Sequence, residues 1–377
     1  FLASMASLFA AGPPEVKTLE IGAAAPAFTL TGVDDKKYSL EDYKKSKYLV
    51  VIFTCNHCPD ARASWGRIND FAKAYADKGV QVVAVSTNSP KALMLWENGY
   101  SVYGDSFPEM KQVSAERKFV FPYLYDGDTQ EVGLAYGAMA TPHVFIFGPE
   151  RKLLYEGHFD NGHRNPGPAS KNTVRDNIDA LLAGKEIKKK KTNVFGCSTK
   201  WAYKQEWVAK KQKEWAKLPV TVESLALDEM KTLLENKTGK VRVVSLWMTN
   251  DEGNDKDFPK LIDTYRRYQK RPFDLVTIGI DEQDNKDEVL RLLVEQHLPV
   301  SPDTLKSIKK EGRETNNLYL KSEDFKAVIK ELIGKKGHIL APFTVVVAPG
   351  GKIIYRNQGN INAVELRRAI VKGLEAL

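Results

Sequence analysis

Two kinds of apolar pattern follow each other along the first half of the chain. The runs Tyr48–Phe53 and Val80–Ser86 are apolar on both faces, which predicts central strands of a sheet buried on both sides. Between them, residues 61–78 repeat apolar side chains at three- and four-residue spacing, which predicts a helix. A strand, a helix and a strand at this spacing predict a βαβ unit with parallel strands.

The same patterns predict the rest of the first domain. We expect helices at residues 91–98, 109–118, 131–136 and 173–183. Residues 141–148 and 152–155 predict a β-hairpin, whose first strand opens with Thr141 and Pro142. The predicted fold is an α/β domain with a central mixed sheet flanked by helices.

The second half of the chain repeats this order. Residues 141–155 align without gaps on residues 341–355, and Pro342 takes the place of Pro142. Strands at 243–247 and 273–280 and helices at 258–269, 286–296 and 363–374 complete the copy, and residues 321–332 predict an additional helix before the second hairpin. Met248 and Asp251 stand where the first copy has cysteines. The repeat predicts a second domain of the same fold without its thiol chemistry.

Length and charge define the organisation further. The 377 residues suit two domains, and no run of about 18 apolar residues predicts a membrane span. The net charge of +8 resides in residues 184–218, which predicts a Lys- and Trp-rich linker and argues against a nucleic-acid-binding domain. The predicted boundaries are an N-terminal arm or signal-peptide remnant at 1–20, a first domain at 21–184, the linker at 185–220 and a second domain at 221–377.

The candidate chemistry lies where the first buried strand meets the following helix. Cys55 and Cys58 are separated by two residues, which predicts a dithiol/disulfide site. The helix N-terminus favours a thiolate at Cys55, from which Cys58 is one turn away, near enough to close the disulfide. With three cysteines in total, the chain is neither a disulfide-stapled scaffold nor a four-cysteine zinc domain.

These residues carry a family resemblance. A CxxC at a strand–helix junction, with a Thr-Pro hairpin about 85 residues later, resembles the thioredoxin fold. Residues 53–59 and 195–201 resemble the peroxiredoxin-like (AhpC/TSA-type) redoxin proteins of that superfamily. The resemblance implies that Pro142 is cis and lies against the dithiol, and that Thr141 offers its backbone to an incoming peptide or thiol. True peroxiredoxins carry a Pro and a Thr at fixed positions ahead of the peroxidatic cysteine, and neither Cys55 nor Cys58 is preceded by this pair. We therefore expect only weak peroxidase activity.

The sequence leaves two alternatives for each of three further groups of side chains. His57 either lies near the Cys55 sulfur and favours its thiolate or points into solvent. Cys197 is either a buried structural thiol or a third redox cysteine that attacks or caps the pair. His143, His158 and His163 either join the cysteines in a metal site or form a polar rim; we expect no metal and no cofactor.

Two functions fit the sequence. The first is a thiol-disulfide oxidoreductase whose partners are protein or small-molecule disulfides. The second is a non-catalytic interaction module that senses redox state or holds a metal. The small residues at 10–12 favour export to an extracytoplasmic compartment over a cytoplasmic location. The second domain offers a surface for docking partners or forming a homodimer.

Overall fold

A computed structural model describes residues 15–281, 285–320 and 341–377. The chain divides into two compact units. The first unit comprises the residues up to 94 together with 103–208, and the second comprises 95–102 together with 209–377. The division after Val208 falls inside the predicted linker, and the assignment of residues 95–102 to the second unit has no counterpart in the sequence pattern. The predicted signal-peptide remnant and the predicted helix at 321–332 lie outside the described residues.

The first unit contains a mixed sheet of seven strands. In chain order its strands are β1 (Thr29–Gly32), β2 (Lys37–Ser39), β3 (Tyr48–Phe53), β4 (Val80–Ser86), β5 (Tyr123–Tyr125), β7 (His143–Phe147) and β8 (Leu153–Gly157). Strand β6 (Ala140–Thr141) lies between β5 and β7 in the sequence and belongs to a separate two-stranded ladder. The spatial order is β2-β1-β5-β4-β3-β7-β8. Strands β3, β4 and β5 are parallel, whereas β7 runs antiparallel to β3 and β8 antiparallel to β7.

Four helices accompany this sheet. They are α1 (Pro59–Tyr75), α2 (Phe107–Arg117), α3 (Glu131–Tyr136) and α4 (Thr173–Leu182). Alternate residues of β3 enter different cores because successive strand side chains point to opposite faces. Val50 and Ile52 pack in the core that contains Ile68 and Phe71 of α1, and Val51 packs in the core that contains α3. The sheet is therefore covered on both faces, as its continuous apolar strands predict.

One predicted helix does not form. Instead of a helix at 91–98, the structure has two short 3-10 turns at Pro90–Ala92 and Leu95–Asn98. Leu93, between them, is extended with φ −102° and ψ 123°, which interrupts any helical hydrogen bonding. The second turn belongs to the second unit, so tertiary packing overrides the local pattern here.

Two elements connect the first sheet to the second. They are β9 (Cys197–Ser198), which pairs antiparallel with β6, and α5 (Gln205–Trp215). The second unit then continues with β10 (Glu223–Leu225), α6 (Leu227–Glu235), β11 (Val241–Trp247), α7 (Asn254–Tyr268), β12 (Phe273–Gly279), α8 (Lys286–Gln296), α9 (Pro302–Ile308), β13 (Asn317–Leu320), β14 (Phe343–Val347), β15 (Ile353–Gln358) and α10 (Ala363–Glu375). Within the described residues, no helix is both long enough and apolar enough to cross a membrane.

The second sheet repeats the first. Its order is β10-β13-β12-β11-β14-β15, in which β13, β12 and β11 are parallel and β14 and β15 antiparallel. The segment β13-β12-β11-β14-β15 matches β5-β4-β3-β7-β8 in order and direction. Each copy also has a cis X-Pro bond before its hairpin, at Thr141-Pro142 and at Ala341-Pro342. The predicted fold class, two tandem thioredoxin-like domains, is confirmed.

Candidate active site

Strand β3 delivers the dithiol to the start of α1. Cys55 follows the strand by two residues, and Cys58 is the extended residue that precedes α1. Pro59 occupies the first helical position, where the missing N–H leaves no hydrogen bond unmade. Both thiols are buried, with Cys55 and Cys58 at 0% exposure, and none of the three cysteines is in a disulfide.

The cis-proline hairpin lies directly against these sulfurs. The Thr141-Pro142 bond is cis, as the resemblance implies. Thr141 Oγ1 is 3.1 Å from Cys55 Sγ, and the Thr141 carbonyl oxygen is 3.2 Å from Cys58 Sγ. One residue therefore touches both sulfurs, the first through its side chain and the second through its backbone.

A segment from beyond the predicted first domain covers the pair. We call residues 195–199 the Cys197 segment. Its strand β9 pairs with β6, which places Cys197 opposite Thr141. The Cys197 backbone N–H donates a hydrogen bond to Cys58 Sγ at 3.2 Å, and its partly exposed side chain packs against Cys55 and Cys58. The structure thus brings all three cysteines together.

The approach of this segment depends on Gly196. Its φ is +121°, and a Cβ there would lie 2.0 Å from the Thr141 carbonyl oxygen. No side chain fits in that space, because the obstacle is backbone rather than a flexible side chain.

The ionisation of the two cysteines differs from the sequence prediction. The thiols of Cys197 and Cys55 hydrogen-bond to Cys58 and, with backbone N–H groups, hold its pKa far below the usual range despite burial. Burial, the hydrogen bond to Cys58 and the charge of Asp105 raise the pKa of Cys55. The sequence predicts the stabilised thiolate at Cys55, whereas the hydrogen-bond donors of the structure converge on Cys58.

His57 is buried, with 1% exposure, rather than pointing into solvent. Its Nδ1 lies 2.6 Å from Asp105 Oδ2. Burial works to lower the His57 pKa, but the charge and hydrogen bond of Asp105 and the nearby Cys58 charge outweigh it, so that the pKa is raised. A cationic His57 in this position favours a neighbouring thiolate.

Asp105 is the functional residue that sequence reasoning missed. Its Oδ1 accepts the backbone N–H groups of Asn56 and His57 at 2.9 and 3.0 Å, and its Oδ2 accepts the Asn88 side-chain amide at 2.7 Å. The carboxylate thereby holds the two residues between the cysteines in place. It lies 48 residues from His57 in the sequence, next to a helix cap, and no local pattern connects the two.

The predicted alternative of a histidine–cysteine metal site is not what the structure assembles. His143 is buried beside Glu156, 3.1 Å away, while His158 binds Asn193 and Thr173. Among the residues that the structure describes, the group whose ligand atoms lie within 4.8 Å of one another is Cys55, His57 and Asp105. Both oxygens of Asp105 already accept hydrogen bonds, so this group is poorly suited to a cation.

Comparison with known proteins agrees with this geometry. A family model described as the AhpC/TSA family matches residues 21–156. This segment of the chain is similar to the AhpC/TSA family. The match contains Cys55, Cys58, Thr141 and Pro142, whereas Cys197 lies outside it.

Similarity to individual proteins extends over less than half of the chain. It is 25% identical over 138 residues to thiol-disulfide oxidoreductase ResA from Bacillus thuringiensis subsp. konkukian and from Bacillus cereus, covering 37% of this chain and 69% of each relative. Among solved structures, an uncharacterized conserved protein from Geobacillus kaustophilus is 37% identical, covers 48% of this chain and 92% of that chain, and has a TM-score of 0.43. A hypothetical protein from Sinorhizobium meliloti 1021 is 29% identical, covers 49% and 97%, and has a TM-score of 0.44.

Proposed function

We propose that this protein is a thiol-disulfide oxidoreductase that exchanges electrons through Cys55 and Cys58. The observation that carries the proposal is the contact of both sulfurs with Thr141, beside a cis-proline and at the start of α1. The similarity to proteins named thiol-disulfide oxidoreductase ResA supports it. The substrates would be protein or small-molecule disulfides.

The roles within the pair follow from the hydrogen bonds. Cys58 is the stabilised thiolate of the reduced site, and Cys55 is the thiol that completes the disulfide. His57, held by Asp105, supplies positive charge near the sulfurs. Because a stabilised thiolate favours the reduced state, we propose a disulfide that is more oxidising than one between ordinary thiols.

Redox titration tests this function. The full chain is equilibrated with glutathione buffers of defined ratio, and the Cys55–Cys58 disulfide is quantified by mass spectrometry alongside insulin reduction. A reversible two-electron midpoint that Cys55→Ser and Cys58→Ser each abolish is the expected result. A pair that stays reduced across the whole buffer range would reject the enzyme.

The burial of both sulfurs favours a second candidate, a non-catalytic module that senses redox state. A buried thiolate exchanges only as fast as an attacking group can reach it. This candidate predicts a measurable midpoint with no turnover of insulin or another disulfide substrate. Steady-state insulin reduction above the rate of free dithiothreitol alone would exclude it.

An extracytoplasmic location is also part of the proposal. Disulfides form and persist in oxidising compartments, where a CxxC pair has partners to exchange with. Fractionation of cells that express the protein from its native gene tests this. Recovery of the protein entirely in the cytoplasm would contradict it.

A further inference from the structure

The Cys197 segment pairs with β6, the strand immediately before the cis-proline. It forms an antiparallel ladder with Ala140 and Thr141, and it puts a cysteine opposite Thr141. We propose that Cys197 is the entry cysteine of a three-cysteine relay, which accepts an external disulfide and passes it to Cys58 for resolution by Cys55. This inference rests on the proposed oxidoreductase function.

Access is the first reason. Cys55 and Cys58 are fully buried, whereas Cys197 is partly exposed and packs against both. An external disulfide therefore has partial access to Cys197, whereas Cys55 and Cys58 are closed to it while the Cys197 segment stays in place. The Cys197 thiol packs against the pair and donates a hydrogen bond to the Cys58 thiolate, which raises the Cys197 pKa and places the two sulfurs so that transfer between them needs no large movement.

Anchoring on both sides of Cys197 is the second reason. On one side, Phe195 stacks on the ring of His163 with a centroid separation of 3.9 Å. On the other, Thr199 donates its backbone N–H to Met139 at 3.0 Å, and Lys200 donates its backbone N–H to Asn88 Oδ1 at 2.8 Å. These contacts hold Cys197 over the dithiol as a positioned reactant rather than as part of a loose tail.

The relay balances in three exchanges. The Cys197 sulfur attacks the external disulfide, its proton passes to the Cys58 thiolate, and one external thiolate leaves. Cys58 next attacks the Cys197 sulfur, and its proton goes to the second external sulfur as that departs as a thiol. Cys55 then attacks Cys58, and its proton ends on Cys197. The sum is a Cys55–Cys58 disulfide, a regenerated Cys197 thiol, and an external disulfide reduced by two electrons.

Trapping the middle species tests the relay. The full-length Cys55→Ser variant lacks the resolving thiol, so oxidised glutathione should leave it with a Cys58–Cys197 disulfide and no bound glutathione. Intact mass followed by peptide mapping detects this bond. Glutathione retained on Cys58 or Cys197, or two thiols that stay free while the parent protein is oxidised, would overturn the relay.

A rate measurement keeps the proposal testable if that variant does not fold. In Cys197→Ser, formation of the Cys55–Cys58 disulfide by oxidised glutathione should slow by at least about tenfold, because a positioned intramolecular thiol is lost. An unchanged rate would refute the entry role but leave the oxidoreductase intact. The oxidoreductase itself fails only if the parent protein forms no reversible Cys55–Cys58 disulfide.

Ser198 provides the matched control. The double variant Cys197→Ser/Ser198→Cys moves the thiol by one residue, and neighbouring strand side chains point to opposite faces. It should remain as slow as Cys197→Ser. Recovery of the parent rate would show that any exposed thiol suffices, which would contradict a positioned relay.

Discussion

At the scale of single residues, the hydrogen-bond donors around each sulfur decide which of the two thiols ionises more readily. Cys58 lies at the start of α1 and receives the Cys197 backbone N–H, together with thiol hydrogen bonds from Cys197 and Cys55. Cys55 is equally buried but has Thr141 Oγ1 as its polar neighbour and Asp105 as an unfavourable charge. The position of a thiol at the helix N-terminus does not by itself decide which of the two has the lower pKa. The hydrogen bonds from the Cys197 segment decide it.

The first prediction concerns the donor on Cys197. Cys197→Ala removes the thiol hydrogen bond that contributes most to the low pKa of Cys58, so that pKa should rise. Cys197→Ser, which retains a hydroxyl donor, should raise it less. The thiolate ultraviolet absorbance of the reduced proteins as a function of pH measures the shift. Superimposable titrations of parent and Cys197→Ala would contradict the assignment.

The second prediction concerns the His57–Asp105 pair. The His57 pKa is raised, so its stabilisation is complete below the unfolded value of about 6.5 and is lost as pH rises through the folded value. The Asp105 pKa is lowered, so its stabilisation exists above the unfolded value and is lost as pH falls through the folded one. Asp105→Asn should therefore lower the His57 pKa. It should reduce stability most between the unfolded pKa of Asp, about 3.9, and the unfolded pKa of His, about 6.5.

Two measurements check this pair. NMR titration of the His57 ring follows its pKa, and urea unfolding at a series of pH values follows the free energy. Asp35→Asn serves as the control, because Asp35 forms an exposed ion pair with Lys111 and should leave both quantities nearly unchanged. A His57 pKa that does not move in Asp105→Asn would reject the pairing as its cause.

At the scale of elements, the site is a junction of β3, α1, the hairpin that begins at β7 and the two-residue strand β9. The first three belong to the predicted fold and would form without Cys197. Strand β9 joins them only because Gly196 permits its backbone to approach Thr141. A two-residue ladder buries little apolar surface by itself, so its position depends on such close contacts.

The third prediction tests that approach. Gly196→Ala puts a Cβ against the Thr141 carbonyl and at an unfavourable φ, which should lift β9 from β6. We expect a higher Cys58 pKa and greater exposure of Cys55 and Cys58 to alkylating reagents. The rate of alkylation, located by peptide mapping, measures the exposure.

Gly184→Ala is the control for this substitution. Gly184 also has a positive φ, of +73°, but a Cβ there meets nothing within 4 Å. Gly184→Ala should therefore add backbone strain without increasing the rate at which Cys55 and Cys58 are alkylated. If both variants alkylate at the same rate, the contact with Thr141 is not what holds the segment.

At the scale of the whole molecule, the protein is two copies of one topology that have diverged in chemistry. The second unit keeps the strand order and the cis-proline but has no cysteine, so it cannot exchange disulfides. It contains instead a buried ionic group in which Arg242 and Arg313 contact Asp274 and Glu311. Burial would raise the Asp274 pKa, but the charges of Arg313 and Arg242 outweigh it and lower that pKa.

The fourth prediction tests whether the stability of the second unit affects the redox potential of the Cys55–Cys58 pair. Arg242→Met leaves Asp274 with one fewer cation in a buried site, which should destabilise the second unit by roughly 3 kcal/mol. The Cys55–Cys58 midpoint potential should not change, since all three cysteines lie in the first unit. Urea unfolding and the glutathione titration measure the two quantities.

The exposed pair of Lys237 and Glu235 supplies the comparison for this experiment. Lys237→Ala removes an ion pair in which both side chains are largely exposed, at 82% and 55%, and should cost little stability. A midpoint that shifts with Arg242→Met would show that the second unit influences the dithiol. That outcome would contradict the separation proposed here.

The sequence alone determined the architecture and the position of the CxxC pair. The apolar runs of β3 and β4 determine buried parallel strands, and the repeat around Pro142 and Pro342 reveals the second domain. These conclusions hold because strand and helix periodicity, and the spacing of a CxxC, are local properties of the chain.

The tertiary structure decided how the pair is ionised and what covers it. Asp105 and Cys197 reach the dithiol across 48 and 139 residues of sequence, through contacts that no local pattern encodes. A pKa depends on every charge, donor and buried surface around the sulfur, and those neighbours are defined only once the chain has folded. That is why the CxxC could be located from the sequence, whereas the ionisation of its two thiols could not be derived from it.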